Sequence, residues 1–231
     1  MKFSIVIPTL NEEKNLARLL TQLQQIPTTS SFEIIVVDGG SHDQTVAVAE
    51  PYAKVFTSPV KSRGAQLKLG AEKSSGEYLW FLHADSQLVD DTDLFAAMAA
   101  RLMIPGVSAG FYRLVFDQSD WFFRYLAVTS TWRGRYLGLI FGDQGLFVKR
   151  TFYQQAGGFP AVPLMEDWVL SRQLKKLGRF YYLKIPLYTS SRRFAAGKLR
   201  THLKMHTIKL LFLLGRSPEE LVQRYNKERK K

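Results

Sequence analysis

The first half of the chain alternates short apolar runs with segments of helical periodicity, and this pattern constrains the fold most. The runs at residues 3–7, 32–37 and 78–82 are rich in β-branched and aromatic residues and end at polar turns, which is typical of strands buried on both faces. Between the first two runs, apolar residues recur at helical spacing at Leu16, Leu19, Leu20 and Leu23. Strands separated by helices indicate right-handed βαβ units.

We therefore predict an α/β fold with a mixed, mainly parallel sheet and helices on both faces. The long alternating run at residues 107–116 indicates an antiparallel strand, and Gly178 is predicted to stop a helix as its C′ residue. The further predicted strands are residues 54–57, 146–149 and 181–185. The further predicted helices are residues 43–50, 63–73, 165–177, 200–214 and 218–229.

The positive charge is concentrated at the carboxyl end. Residues 192–231 contain 12 Lys and Arg and three Glu, a net charge of +9, whereas the whole chain carries +12. A basic segment favours anionic partners such as membrane lipid, nucleic acid or phosphorylated substrates. A solvated helix face explains the same charge equally well.

The composition also bears on the compartment. The chain contains no cysteine, which excludes disulfides and thiolate metal sites and is consistent with a reducing compartment. The apolar amino terminus is too short for a signal peptide, and no segment has the roughly 18 apolar residues of a membrane span. We expect a cytoplasmic protein, with peripheral attachment to the inner face of the membrane through the basic tail as a further hypothesis.

Polar residues follow three of the predicted strands. Glu12, Asp38 and Asp85 each lie just beyond a strand end, and in open parallel sheets ligands bind beyond the carboxyl ends of the strands. Three acidic strand ends favour a site for a divalent cation or for a ligand that donates N–H groups. Each one alone is explained as well by turn or capping chemistry.

These motifs resemble the GT-A glycosyltransferases of family 2. The resemblance rests on residues 5–13, 35–43 and 81–85, and it continues in the same order at Gly142-Asp143-Gln144-Gly145, Gly157-Gly158-Phe159 and Met165-Glu166-Asp167. It covers roughly residues 3–195 and implies the GT-A fold, which is Rossmann-like and binds nucleotide-diphosphate sugars. The motif Phe-Leu-His-Ala-Asp is similar to that of a bacterial subgroup.

The resemblance implies a division of the chain and a set of donor-binding residues. Residues 1–197 would be the catalytic domain, with a nucleotide-binding half at 1–105 and an acceptor half at 106–197. Residues 198–231 would be a basic helical extension. Asp38 matches the residue that accepts the ring N–H of uracil or guanine. The other implied donor residues are Pro8, Leu10, Glu12, Arg63, His83, Ala84, Asp85, Arg192 and Arg193.

The implied cofactor is a divalent cation, Mg²⁺ or Mn²⁺, with Asp85 as its ligand. Such ions take only one or two carboxylates and complete their shell with water and substrate phosphate. The sequence departs from the family's Asp-x-Asp motif at its first position, which is His83. A neutral imidazole can still contact ribose, but the departure leaves recognition of the ribose in question.

The resemblance implies that Asp167, with Glu166 beside it, is the catalytic base of an inverting reaction. Two acidic residues at the start of a helix are also explained by the helix dipole, which favours them by about 0.3–1 kcal/mol. Asp143 and Gln144 match the acceptor side. The acceptor itself is unidentified, with a hydroxyl or phosphate acceptor, including a lipid-linked one, as the expectation.

Two other functions compete with sugar transfer. A nucleotidyltransferase is disfavoured because Asn11-Glu12-Glu13 stands where such enzymes carry a glycine-rich basic loop. A non-catalytic nucleotide- or RNA-binding module is disfavoured because the aromatic residues cluster at 121–136 and not among the basic residues of the tail. We therefore expect no nucleic-acid partner.

Overall fold

The computed structural model describes residues 1–89 and 91–227. Its centre is a seven-stranded sheet of order β3-β2-β1-β4-β6-β5-β7. The strands are β1 Lys2–Thr9, β2 Ser31–Asp38, β3 Lys54–Thr57, β4 Tyr78–Phe81, β5 Val107–Phe116, β6 Phe147–Lys149 and β7 Arg179–Thr189. The helices are α1 Glu13–Gln25, α2 Thr45–Ala49, α3 Arg63–Lys73, α4 Leu94–Leu102, α5 Trp121–Trp132, α6 Arg150–Gln155, α7 Glu166–Leu177, α8 Lys198–Leu213 and α9 Pro218–Lys227.

The sheet is mixed and mainly parallel, as predicted. Strand β1 pairs in parallel with β2 and β4, and its residues from Phe3 to Thr9 are buried. One hydrophobic cluster packs α1 and α4 on one face of the sheet, and a second packs α3, α6 and α7 on the other. The expectation of helices on both faces is therefore confirmed.

Strand β6 reverses direction within the sheet. It lies between β4 and β5 and is antiparallel to both. The bounds predicted for β5 are confirmed, but its predicted antiparallel pairing holds only toward β6, since β5 runs parallel to β7. The carboxyl ends of β1, β2, β4, β5 and β7 and the amino end of β6 consequently lie at one edge of the sheet.

The predicted end of a helix at Gly178 is confirmed, because α7 ends at Leu177. The φ of 171° at Gly178 is extended backbone, which any residue adopts. Glycine is needed there because a Cβ would lie 2.7 Å from the carbonyl oxygen of Gly106. That oxygen accepts a hydrogen bond from the amide of Arg179, and the left-handed turn at Gly106, with φ 77°, has open space around it. These residues lie at the amino edge of β5 and β7.

The carboxyl-terminal helices pack on the start of α7. Ile208 of α8 and Leu221 of α9 are buried in one cluster with Met165 and Trp168. The predicted helix end at Arg229, and Lys230 and Lys231, lie outside the described residues. Among the described helices, none is long and apolar enough to cross a membrane.

Candidate active site

The loops at the carboxyl edge of the sheet bring together polar residues that are far apart in the sequence. Asp38 ends β2, Glu12 and Asp85 follow β1 and β4, and Arg192 follows β7. The short 3₁₀ turn Gly142–Gln144 precedes β6 and reaches the same edge because β6 is antiparallel. We take this edge as the candidate site.

Asp38 is buried and organises its own loop. Its Oδ2 accepts hydrogen bonds of 2.8 Å from the amides of Gly40 and Ser41. Its Oδ1 accepts from the hydroxyl of Ser41 and, at 3.3 Å, from the hydroxyl of Thr9. Both carboxylate oxygens are therefore engaged within the loop, so a ligand that donates to Asp38 must displace one of these hydroxyls.

Gln66 of α3 links the carboxyl ends of β1 and β2 by hydrogen bonds. The sequence patterns did not identify this residue. Its buried Nε2 donates to the carbonyl oxygens of Thr9 and Val37, each at 2.8 Å. Gly39 is packed against this amide, since a Cβ there would lie 3.1 Å from Nε2. One side chain of α3 thus sets the spacing of β1 and β2 where the site begins. Its only sequence signal is a polar residue within the buried stripe of α3.

Arg63 is the centre of a charged cluster. Its Nε donates to Oε1 of Glu166, and its Nη2 donates to Oδ2 of Asp167 at 2.6 Å. Its Nη1 lies 3.1 Å from Nε2 of His83. Three predicted site residues from two separate parts of the chain therefore meet on one guanidinium, whose forked donors suit two carboxylates.

The burial of this cluster shifts its titrations. Burial, with smaller effects of Arg63, Arg193 and Arg192, holds the pKa of His83 well below its usual range, so the imidazole is neutral at neutral pH. Burial raises the pKa of Asp167, the charge of Arg63 lowers it, and Glu166 raises it again. A carboxylate with a raised pKa in a cleft is suited to take a proton near neutral pH.

The turn before β6 fits tightly between His83 and Asp167. A Cβ at position 142 would clash with Nε2 of His83, so only glycine fits there. The Gly142 amide donates to Oδ2 of Asp167 at 3.1 Å. In the described structure both hydrogen bonds to Asp167 therefore fall on Oδ2, which leaves Oδ1 for a ligand.

A second ionic cluster joins Arg192 to two strand-end carboxylates. Its Nη1 donates to Oε2 of Glu12 at 2.9 Å and its Nη2 to Oε1 of Glu12. The same Nη2 lies 3.6 Å from Oδ2 of Asp85. Burial raises the pKa of Asp85, and the charge of Arg192 counteracts it.

The fit of a divalent cation depends on this second cluster. Among the described residues no group of three or more carboxylate or imidazole side chains is placed to hold a metal ion. Asp85 is nevertheless largely buried at a strand end. Nη2 of Arg192 lies 3.6 Å from its Oδ2, which is too long for a hydrogen bond. One carboxylate is enough for Mg²⁺ or Mn²⁺ when substrate phosphates complete the shell, so the residues fit a cation shared with the ligand.

The remaining predicted residues have varied surroundings. Ala84 is buried, Leu10 is exposed, and Pro8 lies inside buried β1. Gln144 is fully buried and bonded within the protein, to Arg133 and to the Ser130 carbonyl. Asp143 has a buried Oδ1 with no hydrogen-bond partner among the described residues, so of this pair Asp143 is the one available to a ligand.

The mixed sheet with helices on both faces is the fold of the GT-A glycosyltransferases. The sequence profile of the family described as Glycosyl transferase family 2 matches residues 4–151. The chain belongs to that family. The matched segment includes Asp38, His83 and Asp85, whereas Asp167 and Arg192 lie beyond it.

Individual relatives match over shorter segments. Poly(ribitol-phosphate) beta-N-acetylglucosaminyltransferase TarS of Staphylococcus aureus is 34% identical over 105 residues, which is 40% of this chain and 18% of TarS. Mouse (Mus musculus) dolichyl-phosphate beta-glucosyltransferase is 31% identical over 100 residues, or 36% of this chain and 31% of that enzyme. The chain thus spans only a minor part of these relatives' lengths.

Solved structures show the same fold over most of the chain. S. aureus TarS 1–349 superposes with a TM-score of 0.67 at 22% identity, covering 84% of this chain and 61% of that one. Mannosyltransferase PcManGT from Pyrobaculum calidifontis, in complex with GDP-Man and Mn²⁺, gives a TM-score of 0.66 at 16% identity, covering 89% and 61%. The predicted GT-A fold is confirmed.

Proposed function

We propose that this protein is an inverting glycosyltransferase that moves a sugar from a UDP or GDP donor to an acceptor, with a divalent cation. The observation that carries the proposal is the cluster of Arg63, His83, Glu166 and Asp167 at the carboxyl edge of the sheet, beside the loops of Asp38 and Asp85. Family membership and the nucleotide-sugar complexes of structural neighbours support it.

In the proposed donor complex, the base lies against the first two strand ends. Asp38 accepts the ring N–H of uracil or guanine once the hydroxyl of Ser41 turns away from Oδ1. Neutral His83 offers ribose the N–H of Nδ1, because its Nε2 accepts from Arg63. Pro8 and Leu10 line this end of the site on β1 and its loop.

The diphosphate is held where the second ionic cluster lies. Asp85 is the protein ligand for Mg²⁺ or Mn²⁺, and the cation supplies positive charge to the leaving diphosphate. Arg192 exchanges the carboxylates of Glu12 and Asp85 for phosphate oxygens, to which a guanidinium also binds with forked hydrogen bonds. Arg193 lies beside it on the same turn.

Asp167 acts as the general base. Its Oδ1 accepts the proton of the acceptor hydroxyl while Arg63 and Gly142 hold Oδ2. The acceptor oxygen bonds to the anomeric carbon, and the bond from that carbon to the diphosphate oxygen breaks, with its electron pair leaving on the nucleoside diphosphate. Attack in line with the leaving group inverts the anomeric centre. Glu166 is less accessible and neutralises Arg63.

The test is a donor panel with the full chain. We expect UDP or GDP to raise the melting temperature more than CDP in the presence of Mn²⁺, and Asp38→Ala to remove that difference. The matching sugar nucleotide should then be hydrolysed slowly to the nucleoside diphosphate. Release of pyrophosphate would instead indicate a nucleotidyltransferase, and binding without any turnover would indicate a non-catalytic module.

We also propose that the protein attaches peripherally to an anionic membrane surface, and the support is an exposed apolar face on two neighbouring helices. On α5 and the turn after it, exposed residues recur at helical spacing at Trp121, Tyr125, Val128, Trp132 and Tyr136. On α8 they recur at Leu199, Leu203, Leu210 and Leu213. We call these residues the apolar face.

The two halves of this face adjoin, and basic residues surround it. Trp121 and Leu199 line one open groove with Lys198 and Arg200, and the rings of Tyr125 and His202 lie 5.9 Å apart. Exposed aromatic and leucine side chains edged by Lys and Arg suit the interface of an anionic bilayer. The net charge of +9 over residues 192–231 favours this occupant over a neutral one.

Vesicle sedimentation tests the attachment. The double variant Trp121→Glu/Leu203→Glu should no longer sediment with phosphatidylglycerol vesicles at low salt. The control variant Tyr52→Glu changes an exposed aromatic residue outside this face and should still sediment with them. Point variants are preferable to deleting residues 200–231, because the deletion would uncover Met165 and Trp168. Equal sedimentation of both variants would refute the role of the apolar face.

A further inference from the structure

Two partly buried cations lie against one aromatic ring next to the proposed catalytic base. Cζ of Arg133, just after α5, is 4.3 Å from the ring centroid of Phe141, and Nζ of Lys209, on α8, is 5.1 Å from it. Phe141 immediately precedes Gly142, whose amide binds Asp167. The packing of α5 and α8 thus brings two positive charges to the acceptor side of the site.

Neither cation has a carboxylate partner of its own. Among the described residues, neither Arg133 nor Lys209 forms a salt bridge. The guanidinium of Arg133 donates to neutral acceptors, the Leu139 carbonyl at 3.1 Å and Oε1 of Gln144 at 3.0 Å. Buried cations without a counterion are costly, which favours an anionic ligand here.

Two nearby charged groups complete the cluster. Burial, and then the charge of Arg133, lower the pKa of Lys209 to about 8, and Arg193 adds to this lowering. The carboxylate that acts against it is Asp143. Asp143 and Asp167 also act on Arg133, so two carboxylates lie near these cations, and Asp167 is already paired with Arg63. Arg193, on the turn after β7, also acts on His83.

We propose that Arg133 and Lys209 bind a phosphate group carried by the acceptor. The inference rests on the proposed glycosyltransferase function and names the class of its acceptor, a phosphorylated molecule that is anchored in this cluster while its reacting hydroxyl meets Asp167. A guanidinium supplies forked hydrogen bonds to phosphate oxygens and an ammonium adds a point charge. Arg192, at the other end of the site, remains available to the donor diphosphate.

The test is calorimetric titration of inorganic phosphate into the full chain with the donor site filled by UDP or GDP and Mg²⁺. Lys209→Met and Arg133→Gln should each weaken phosphate binding about tenfold, as for the loss of one charged hydrogen bond. Lys68→Met removes an exposed lysine of α3 and should leave the affinity unchanged. Should Arg133→Gln fail to fold, Lys209→Met carries the comparison. Equal affinities in Lys209→Met and Lys68→Met would overturn the inference.

A pH series and a second probe sharpen the result. Because Lys209 faces Arg133, Asp143, Arg193 and His206 and loses its proton at about pH 8, phosphate should bind more weakly above that pH in wild type, and this step should vanish in Lys209→Met. Phosphatidic acid vesicles and soluble glycerol phosphate separate a lipid source from a soluble one, and a Lys209-dependent response to either supports the site. Nucleotide binding is measured separately, so its failure would count against the proposed function alone.

Discussion

Arg63 donates a hydrogen bond of 2.6 Å to Asp167, although the two residues are 104 positions apart in the chain. Arg63 begins α3 in the first half, and Asp167 lies in the first turn of α7 in the second. The proposed base is therefore oriented by a residue from the first half of the chain. The site forms only where α3 and α7 pack against each other.

Replacing the proposed base should stop transfer and preserve donor binding. We expect Asp167→Asn to lower kcat by about 10² or more, as for loss of a general base, with an unchanged nucleotide affinity. Glu166→Gln keeps a hydrogen-bond acceptor for Arg63 and should retain more activity. Single-turnover assays with the donor found in the nucleotide panel measure both. Wild-type turnover by Asp167→Asn would remove this residue from the mechanism.

The pH profile should report the environment of Asp167. A general base must be deprotonated to act, and the ordinary pKa of Asp is about 3.9. Because the pKa of Asp167 is raised, kcat/KM should fall on acidification at a pH well above that value. Because the charge of Arg63 lowers this pKa, Arg63→Gln should move the acid limb to higher pH, and Arg63→Lys should move it less. Circular dichroism checks that both variants fold. An acid limb that stays in place in Arg63→Gln would contradict the assigned coupling.

Metal-dependent donor binding should depend on Asp85. We expect Asp85→Asn to abolish the increase in nucleotide affinity that Mn²⁺ gives the wild type, because the cation then has phosphates and water but no carboxylate. Asp91→Asn is the matched control, since Asp91 is exposed and lies six residues further on. Calorimetry with and without Mn²⁺ measures the difference. Equal Mn²⁺ dependence in the two variants would exclude Asp85 as the ligand.

Gln66 should matter for both stability and donor binding. Gln66→Leu removes one hydrogen bond from each of the carbonyls of Thr9 and Val37, although Thr9 keeps the amide of Gly39 as a donor. We expect a cost of about 0.5–1.5 kcal/mol for each bond lost. The spacing of β1 and β2 at the Asp38 loop should relax, which weakens nucleotide binding as well. Urea unfolding and nucleotide titration check the two effects. A variant as stable as the wild type would show that water replaces the amide.

The sequence predicted most helices and strands of the first half of the chain because the signals for them are local. The bounds of β3 and α3 were predicted without error, since β-branched residues and a serine cap mark them. Helices α4, α5 and α6 were not predicted, and residues 121–132 of α5 were noted only for their aromatic side chains. Helix α4 is apolar around most of its circumference and lies beside acidic turn residues, and α6 is only six residues long. Neither has the periodicity on which the other predictions depended.

The site was predicted as a set of residues, not as an arrangement. The motifs named Arg63, His83, Glu166 and Asp167 separately, but their meeting on one guanidinium depends on the pairing of β6 between β4 and β5. No local pattern encodes that insertion. Arg133 and Lys209 were missed for a related reason, since each is an ordinary basic residue in sequence and acquires its meaning only where α5 and α8 meet.

The turn at Gly106 gives this protein a convenient handle for engineering. All the loops of the proposed site leave from the carboxyl edge of the sheet, while Pro105 and Gly106 are exposed at the opposite edge with open space beside them. A fluorescent label, a surface tether or the new termini of a circular permutant can be introduced there about one strand length from the donor and the acceptor. Single-molecule or immobilised assays can then follow turnover without altering the residues under study.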